Sequence, residues 1–590
     1  MKKLIILIVF LCAGCTLLTK KCEKPGEASS VLKPGTGVKV EEATSSSAEE
    51  NGKSIMKALE EELNRSMKRL KMADHSPPYF ISYTVRDIED TTINARYGSI
   101  YYSETSRARL QYPQVRVGTY KFDSSRNREI GLEFELIDQY DQYLPLNNDI
   151  DAIRNRLWLV TDQKYKEALS SYFRKKAKNV YRPQKDEADD FSRESPHKYI
   201  GSEKIVSIDI DKEIFMLLLS KVSAYFKKFP EILDSGITLN IKKTSRYFVN
   251  SEGSRVETSD MLLTIFIAVK AKAEDGSPLE NYRMFTSANP DEIADENMLT
   301  GAAKDIVEEI LALRKAPLMD PYTGPAVLSP EVTGVFFHEV IGHRLEGERQ
   351  KDEKEGMTFK DKVGQKIIPE FFTIIDDPTI SNYNGTTLVG NYSHDDEGVP
   401  AQRVVLVENG ILKNYLLSRT PIKGFAHSNG HGRNSSTEDP MARMSNFFVT
   451  SSQNLSPEEL KAKLLDECKK RGKPFGFYIK SITSGETNTS KYGFQAFKGA
   501  PILVYKVYAD DGREELLRGV DIVGTPLTSI NNIMAAANDY KVFNGYCGAE
   551  SGFIPVSTIA PSVLVSEIEL QKTGKEKKKP PILPPPAFDE

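Results

Sequence analysis

Apolar residues recur at helical spacing at Ile55, Leu59, Leu63, Met67 and Leu70, which predicts a helix with one buried stripe. From 79 to 125 the pattern changes to alternation. Tyr79 to Val85 and Val115 to Gly118 read as strands. A charged helical stretch spans about 150 to 180 and holds the only tryptophan, Trp158. A further helix runs from Asp211 to Phe229, strands fall between 237 and 286, and Leu299, Ile306, Ile310 and Leu313 mark a helix over about 290 to 315. Residues 53–315 therefore read as an N-terminal α+β domain.

The second half begins near Ala316-Pro317. Ser329 has the chemistry of an N-cap, Pro330 suits the first helical position and Glu331 the first turn. The apolar run Val332 to Phe337 then carries His338 and Glu339 into a buried helix. A charged loop follows over Glu348 to Gly364. Asn409-Gly410 separates two apolar runs between Arg403 and Leu417, as a hairpin turn does. Ser456 to Arg471 reads as an amphipathic helix, and strands are expected at 474–482, 500–508 and 513–523. Residues 316–570 thus form a C-terminal domain, an antiparallel sheet or partial barrel carrying the helix at 330, and the chain as a whole is α+β. Residues 571–590, rich in lysine and proline, read as a disordered tail.

Composition narrows the class. With 590 residues, 27% of them charged and 39% hydrophobic, the chain can build two or three ordinary cores. A net charge of -4 argues against nucleic acid as a partner. Lys2 and Lys3 precede an apolar run, Leu4 to Leu11, and then Cys12-Ala13-Gly14-Cys15, so residues 1–15 read as a signal peptide. Ala13 and Gly14 before Cys15 resemble a lipobox, although Leu11 stands one place further upstream than usual, with Cys12 in its slot. The expectation is export to the cell envelope or periplasm with a lipid anchor on Cys15; ordinary cleavage is the alternative. Residues 16–52, rich in Ser, Gly, Glu and Lys, read as a flexible tether.

The candidate chemistry lies in His338-Glu339-Val340-Ile341-Gly342-His343. Two imidazoles and a carboxylate on one buried turn are costly unless paired, and a divalent metal is the simplest partner. The familiar zinc pattern H-E-x-x-H spaces its histidines four apart; here they are five apart. On an ideal helix that separation is about 140°, too wide to share one ion. Metal binding therefore requires a π-bulge or a broken helix over 338–343, eased by Gly342. A buried helix with hydrogen-bonded histidines is the alternative. Glu346, three residues past His343, can share that face and is a candidate third ligand. Of the five cysteines, Cys468 sits in the amphipathic helix and Cys547 in a glycine-flanked stretch read as a loop; a disulfide between them is the competing reading. Asp395, Asp396 and Glu397 read as a solvated turn, and His427 and His431 as loop histidines. Arg433 is a candidate for a substrate carboxylate or an oxyanion.

His-Glu-x-x-x-His followed by Leu345-Glu346-Gly347 resembles the signature of the TldD/PmbA family of zinc metallopeptidases, on the metal-bearing TldD side. Two further blocks are similar to the same family: Gly390 to Arg403 and Tyr546 to Val556. The resemblance covers residues 317 to 568, and departs from the usual pattern at Gly548-Ala549-Glu550-Ser551-Gly552. It implies one Zn2+ per chain held by His338, His343 and Cys547, with Glu339 as the catalytic base and Glu346 steadying a histidine from outside. It places Tyr392 and His394 along the cleft. It also implies an unfolded peptide substrate held extended, and a homodimer or a heterodimer with a metal-free sister subunit. The expected function is a zinc peptidase of the cell envelope; the alternative is a non-catalytic scaffold or peptide-binding subunit.

Overall fold

In a computed structural model of the chain, the structure describes residues 45–125, 142–181, 188–201, 210–352, 354–492, 496–573, 581 and 583–588. The stretches read as signal peptide and lipobox, and the stretch read as tether up to residue 44, lie outside the described residues, as does most of the stretch read as tail. All described residues fall in one compact unit, Val40–Glu590.

Helix α1 (Ser45–Arg69) begins inside the stretch read as tether. Ile55, Leu59 and Leu63 are buried and anchor it, and Ala48-Glu49-Glu50 are good helix formers that extend it backwards. It is followed by β1 (Pro78–Arg96), β2 (Ser99–Thr119), α2 (Ile150–Tyr181), α3 (Lys212–Ser223), β3 (Asp234–Asn250), β4 (Arg255–Lys272), β5 (Pro278–Ser287) and α4 (Glu296–Lys315). These five strands form most of a seven-stranded sheet in the order β2-β1-β3-β4-β5, with every pairing among the five antiparallel; the short Phe122–Asp123 pairs with β2, and Lys198–Ile200 pairs parallel with β4. Alternation explains its two faces. Odd positions such as Ile237, Leu239, Ile241, Leu263, Ile265 and Ile267 are buried in a core with Phe215 and Leu219 of α3 and Ile306 and Ile310 of α4. Many even positions are polar, Thr238, Asn240, Lys242 and Thr244 among them, and two charged ones dock onto the second half: Arg86 donates to Asp396, and Arg246 to Asp396 and the Asp395 carbonyl.

The second half contributes β6 (Tyr322–Leu328), α5 (Pro330–Val340), β7 (Phe372–Asp376), β8 (Val404–Glu408), β9 (Asn446–Ser451), α6 (Pro457–Lys470), β10 (Phe475–Thr487), β11 (Phe497–Tyr508), β12 (Val520–Gly524), β13 (Lys541–Ala549), β14 (Gly552–Ala560) and β15 (Val563–Lys572). Strands β10-β6-β15-β12-β11 close on themselves, because β11 pairs back to β10. The partial barrel of the sequence reading is thus a closed five-stranded one within the expected α+β architecture. Two pairings are parallel rather than antiparallel, β6 with β10 and β9 with β14, since long crossovers join those strands.

A second sheet runs β8-β7-β9-β14-β13 and leaves β13 at its edge. Helix α5 lies between this sheet and the barrel, and its residues from Val332 to His338 are all buried. That is why its sequence is apolar around the whole circumference rather than along one stripe. The hairpin turn is as expected, with Asn409 and Gly410 at φ 48° and 77°. So is the amphipathic helix: Ser456 and Glu459 form a capping box, and Cys468 packs beside Leu460 and Leu464. Cys468 and Cys547 are both free thiols, which removes the disulfide reading.

Cys547 corrects the sequence reading in another respect. It sits within β13, paired residue by residue with β14, and not in a loop. The flanking Gly548 serves close packing, because a methyl group there would lie 2.6 Å from the Phe553 ring opposite.

Candidate metal centre

The site begins where α5 begins. Ser329 Oγ accepts the Val332 amide at 3.3 Å, and Pro330 occupies the first helical position, as read from sequence. The helix then stops at Val340 and is followed by a 3-10 turn, Gly342–Leu345, so the break, not the π-bulge, brings His343 round. The break exposes the last helical carbonyls, and Arg344 caps them: its Nη1 donates to the Glu339 and Val340 carbonyls at 2.9 and 3.1 Å. Gly342 is needed for space, with no unusual backbone angle, since a methyl group there would collide with Met444 Sδ. Gly342→Ala should therefore cost about 1–3 kcal/mol. The check is thermal unfolding, and Met444→Ala in the same chain should recover part of the loss.

The consequence is convergence. His338 Nε2 lies 3.1 Å from Cys547 Sγ, and His343 Nε2 lies 3.4 Å from the same sulfur. The two imidazoles stand perpendicular, with centroids 5.0 Å apart, and all three donor atoms fall within 4.8 Å of one another. The three residues are buried. Around a tetrahedral zinc, adjacent nitrogen and sulfur donors are separated by about 3.5 Å. The donor set and its spacing therefore fit a metal ion of that kind.

Charge supports the fit. Burial pushes the Cys547 thiol up, but Arg443, His343 and His338 outweigh it and hold the pKa well below the ordinary thiol value. Burial opposes the charged form of His343, yet Cys547 and Glu346 raise its pKa well above the usual value. Glu346 is buried too, but His343, Arg349 and Arg443 hold it down at about 2. Its carboxylate lies 3.0 Å from His343 Nδ1, so it grips the nitrogen that faces away from the sulfur. That contact keeps the proton on Nδ1, so a metal ion displacing the Nε2 proton would find that nitrogen directed inward. Glu346 is thus outside the donor cluster, and the third donor facing the imidazoles is the Cys547 sulfur. Glu339 Oε2 sits 3.9 Å from His343 Nε2, and burial raises its pKa despite the nearby histidines.

Residues 321–572 match the family model described as PmbA/TldA metallopeptidase C-terminal domain. A metalloprotease of Methanothermobacter thermautotrophicus is 31% identical over 328 residues, covering 55% of this chain and 66% of the relative. A metalloprotease of Methanocaldococcus jannaschii is 30% identical over 365 residues, covering 61% of this chain and 74% of the relative. The chain belongs to the TldD/PmbA metallopeptidase family. The fold is shared with the crystal structure of TldE from Thermococcus kodakarensis, at a TM-score of 0.59 and 14% identity, over 87% of this chain and 100% of that one.

The remaining residues singled out in the sequence are not among the three clustered donors. The Arg433 guanidinium donates to the Met444 and Pro555 carbonyls at 2.6 and 3.0 Å and lies over the Tyr392 ring. Tyr392 donates to the Gly430 carbonyl. His394 packs against Tyr199 and His197, and burial beside Arg246 and His197 lowers its pKa to about 4. Asp395 and Glu397 are buried and Asp396 is half-buried, contrary to a solvated turn: Asp395 accepts backbone amides of Glu397, Val399 and Gly432, and Asp396 pairs with Arg86 and Arg246. His431 is also fully buried, 3.1 Å from Asp376, whereas His427 is exposed as expected.

Sequence reasoning missed Arg344, Arg349 and Arg443, all buried around the site. Arg443 carried a faint signal, a charge inside the otherwise apolar run Met441 to Met444.

Proposed function

We propose that this chain is a zinc-dependent peptidase that hydrolyses unfolded peptides or proteins bound in extended form in the cell envelope. The observation that carries it is the meeting of two histidines from one broken helix with a cysteine some two hundred residues away, beside a half-buried carboxylate. His338, His343 and Cys547 would hold one zinc, and three protein donors leave a position open, the mark of a catalytic site. Bound zinc supplies a Lewis acid that polarises a peptide carbonyl and eases ionisation of water.

Glu339 is the group placed to take the proton of the attacking water and return it to the leaving amine. Its raised pKa suits both halves of that exchange. Strand β13 ends its sheet, so the backbone edge beside Cys547 is free of a neighbouring strand among the described residues. Such an edge receives an extended peptide through main-chain hydrogen bonds, which favours unfolded substrates.

The test is digestion of denatured casein and of a folded control. Cleavage of the denatured protein should vanish with chelator and return with zinc, and the folded control should stay intact. Cleavage that resists chelator but stops with a thiol alkylating agent would instead make Cys547 a nucleophile. No cleavage by the zinc-loaded protein would favour the scaffold reading. The same proposal includes pairing, with a second copy or with a metal-free sister, which the TldE-like fold supports. It also includes a lipid anchor at Cys15, on which the full chain should sediment with membranes and Cys15→Ala should not.

A further inference from the structure

The buried carboxylate of Glu346 is held from three directions. His343 Nδ1 lies 3.0 Å away, Arg349 Nε donates at 2.7 Å, and Arg443 Nε stands at 3.6 Å. Both arginines reach on from Glu346 to the hairpin that carries Cys547. Arg443 Nη2 donates to the Cys547 carbonyl at 2.7 Å, and its Nη1 donates to Ser551 Oγ and the Gly552 carbonyl at 2.7 and 3.1 Å. Arg349 pairs with Glu550, in the tight turn of the same hairpin, through Nη2 at 2.9 Å and Nη1 at 3.2 Å. It also donates to Glu355 at 3.0 Å and Thr489 Oγ1 at 3.2 Å.

These contacts join parts of the chain that the metal donors also join. His343 comes from the broken helix, Cys547 from an edge strand far along the sequence. An edge strand with one neighbour has little to fix its distance from the helix. Two planar guanidinium groups, that of Arg349 hydrogen-bonded to Glu346 and that of Arg443 ion-paired with it, each hydrogen-bonded to the hairpin on the other side, supply that constraint in a buried setting.

We infer that Arg349 and Arg443 are positioning residues: through Glu346 and Glu550 they set the separation of the His343 and Cys547 donors before the metal arrives. The inference rests on the zinc reading given above. In it, the Arg349–Glu550 pair contributes to metal affinity although neither residue touches the ion. Glu550 is the informative partner, because its side chain is 46% exposed and its removal leaves the buried network intact.

The experiment measures zinc affinity by competition with a chelating dye for the wild type, Arg349→Gln, Glu550→Gln and the double variant. Thermal unfolding of the metal-free forms and cobalt-substituted spectra are recorded alongside. Arg349→Gln should weaken zinc binding about 10- to 100-fold, the range for groups that orient metal ligands. Glu550→Gln should weaken it less, and the double variant should resemble Arg349→Gln rather than multiply the two losses. The cobalt spectrum should keep its thiolate charge-transfer band in every variant, since the donors are unchanged. Unchanged zinc affinity in Arg349→Gln and Glu550→Gln, with or without a loss of thermal stability, overturns the inference. So does a double variant whose loss is the product of the single losses. Failure of the wild type to bind zinc at all would instead strike the reading on which the inference rests.

Discussion

Glu339→Gln should lose peptide cleavage by about 10²- to 10⁴-fold, the usual contribution of a positioned acid–base group, while keeping its metal. The carboxamide has the shape of the carboxylate but cannot accept the proton of water. The change should also fit. Glu339 is partly open to solvent, and the absent side chain of Gly485 makes room for it: a methyl there would lie 2.7 Å from Glu339 Cγ. Its carboxylate lies outside the three-donor cluster, so metal content should not fall. The loss should therefore appear in kcat with KM nearly unchanged, read by steady-state kinetics on a quenched peptide beside a metal assay. Surviving activity would remove Glu339 as the base. Joint loss of activity and metal would make it a ligand.

Cys547→Ser is the second large effect. The sulfur is the donor that both imidazoles face, and a serine hydroxyl does not ionise at neutral pH to replace a thiolate. Zinc affinity should fall by at least about 100-fold, some 2.7 kcal/mol. Cleavage should disappear at limiting metal and return only in part at excess. The strand itself should persist, because its ladder to β14 runs through backbone groups that the substitution leaves alone. Circular dichroism should thus stay near wild type while equilibrium dialysis records the loss of zinc. Wild-type zinc affinity in Cys547→Ser would return Glu346 to contention as the third ligand.

What was legible in the sequence was what neighbouring residues decide. Ser329, Pro330 and Glu331 fixed the start of α5 to the residue, because capping is settled within one turn. The five-residue spacing of the histidines forced a distortion, and Gly342 marked where it falls, though its cause is Met444 rather than backbone freedom. The rest depended on partners distant in the chain. Gly545 and Gly548 made the Cys547 stretch look like a loop, whereas the ladder to β14 and contact with Phe553 make it a strand. Closure of the barrel needs β11 to return to β10 and could not be read from either strand alone. Asp396 is paired with Arg86 and Arg246, whereas the buried carboxylates of Asp395 and Glu397 accept backbone amides, Gly432 and Arg419 among the donors. All of these partners but Glu397 and Val399 arrive from elsewhere in the chain. Charged residues that look solvated one by one are buried here as partners.

The most direct test is metal analysis of the purified wild-type chain by inductively coupled plasma mass spectrometry, with native mass spectrometry of the same sample. A single site at His338, His343 and Cys547 predicts one zinc per chain, lost with chelator and restored on addition of zinc. A chain that stays metal-free when zinc is supplied in excess, with Cys547 freely alkylated, would contradict it.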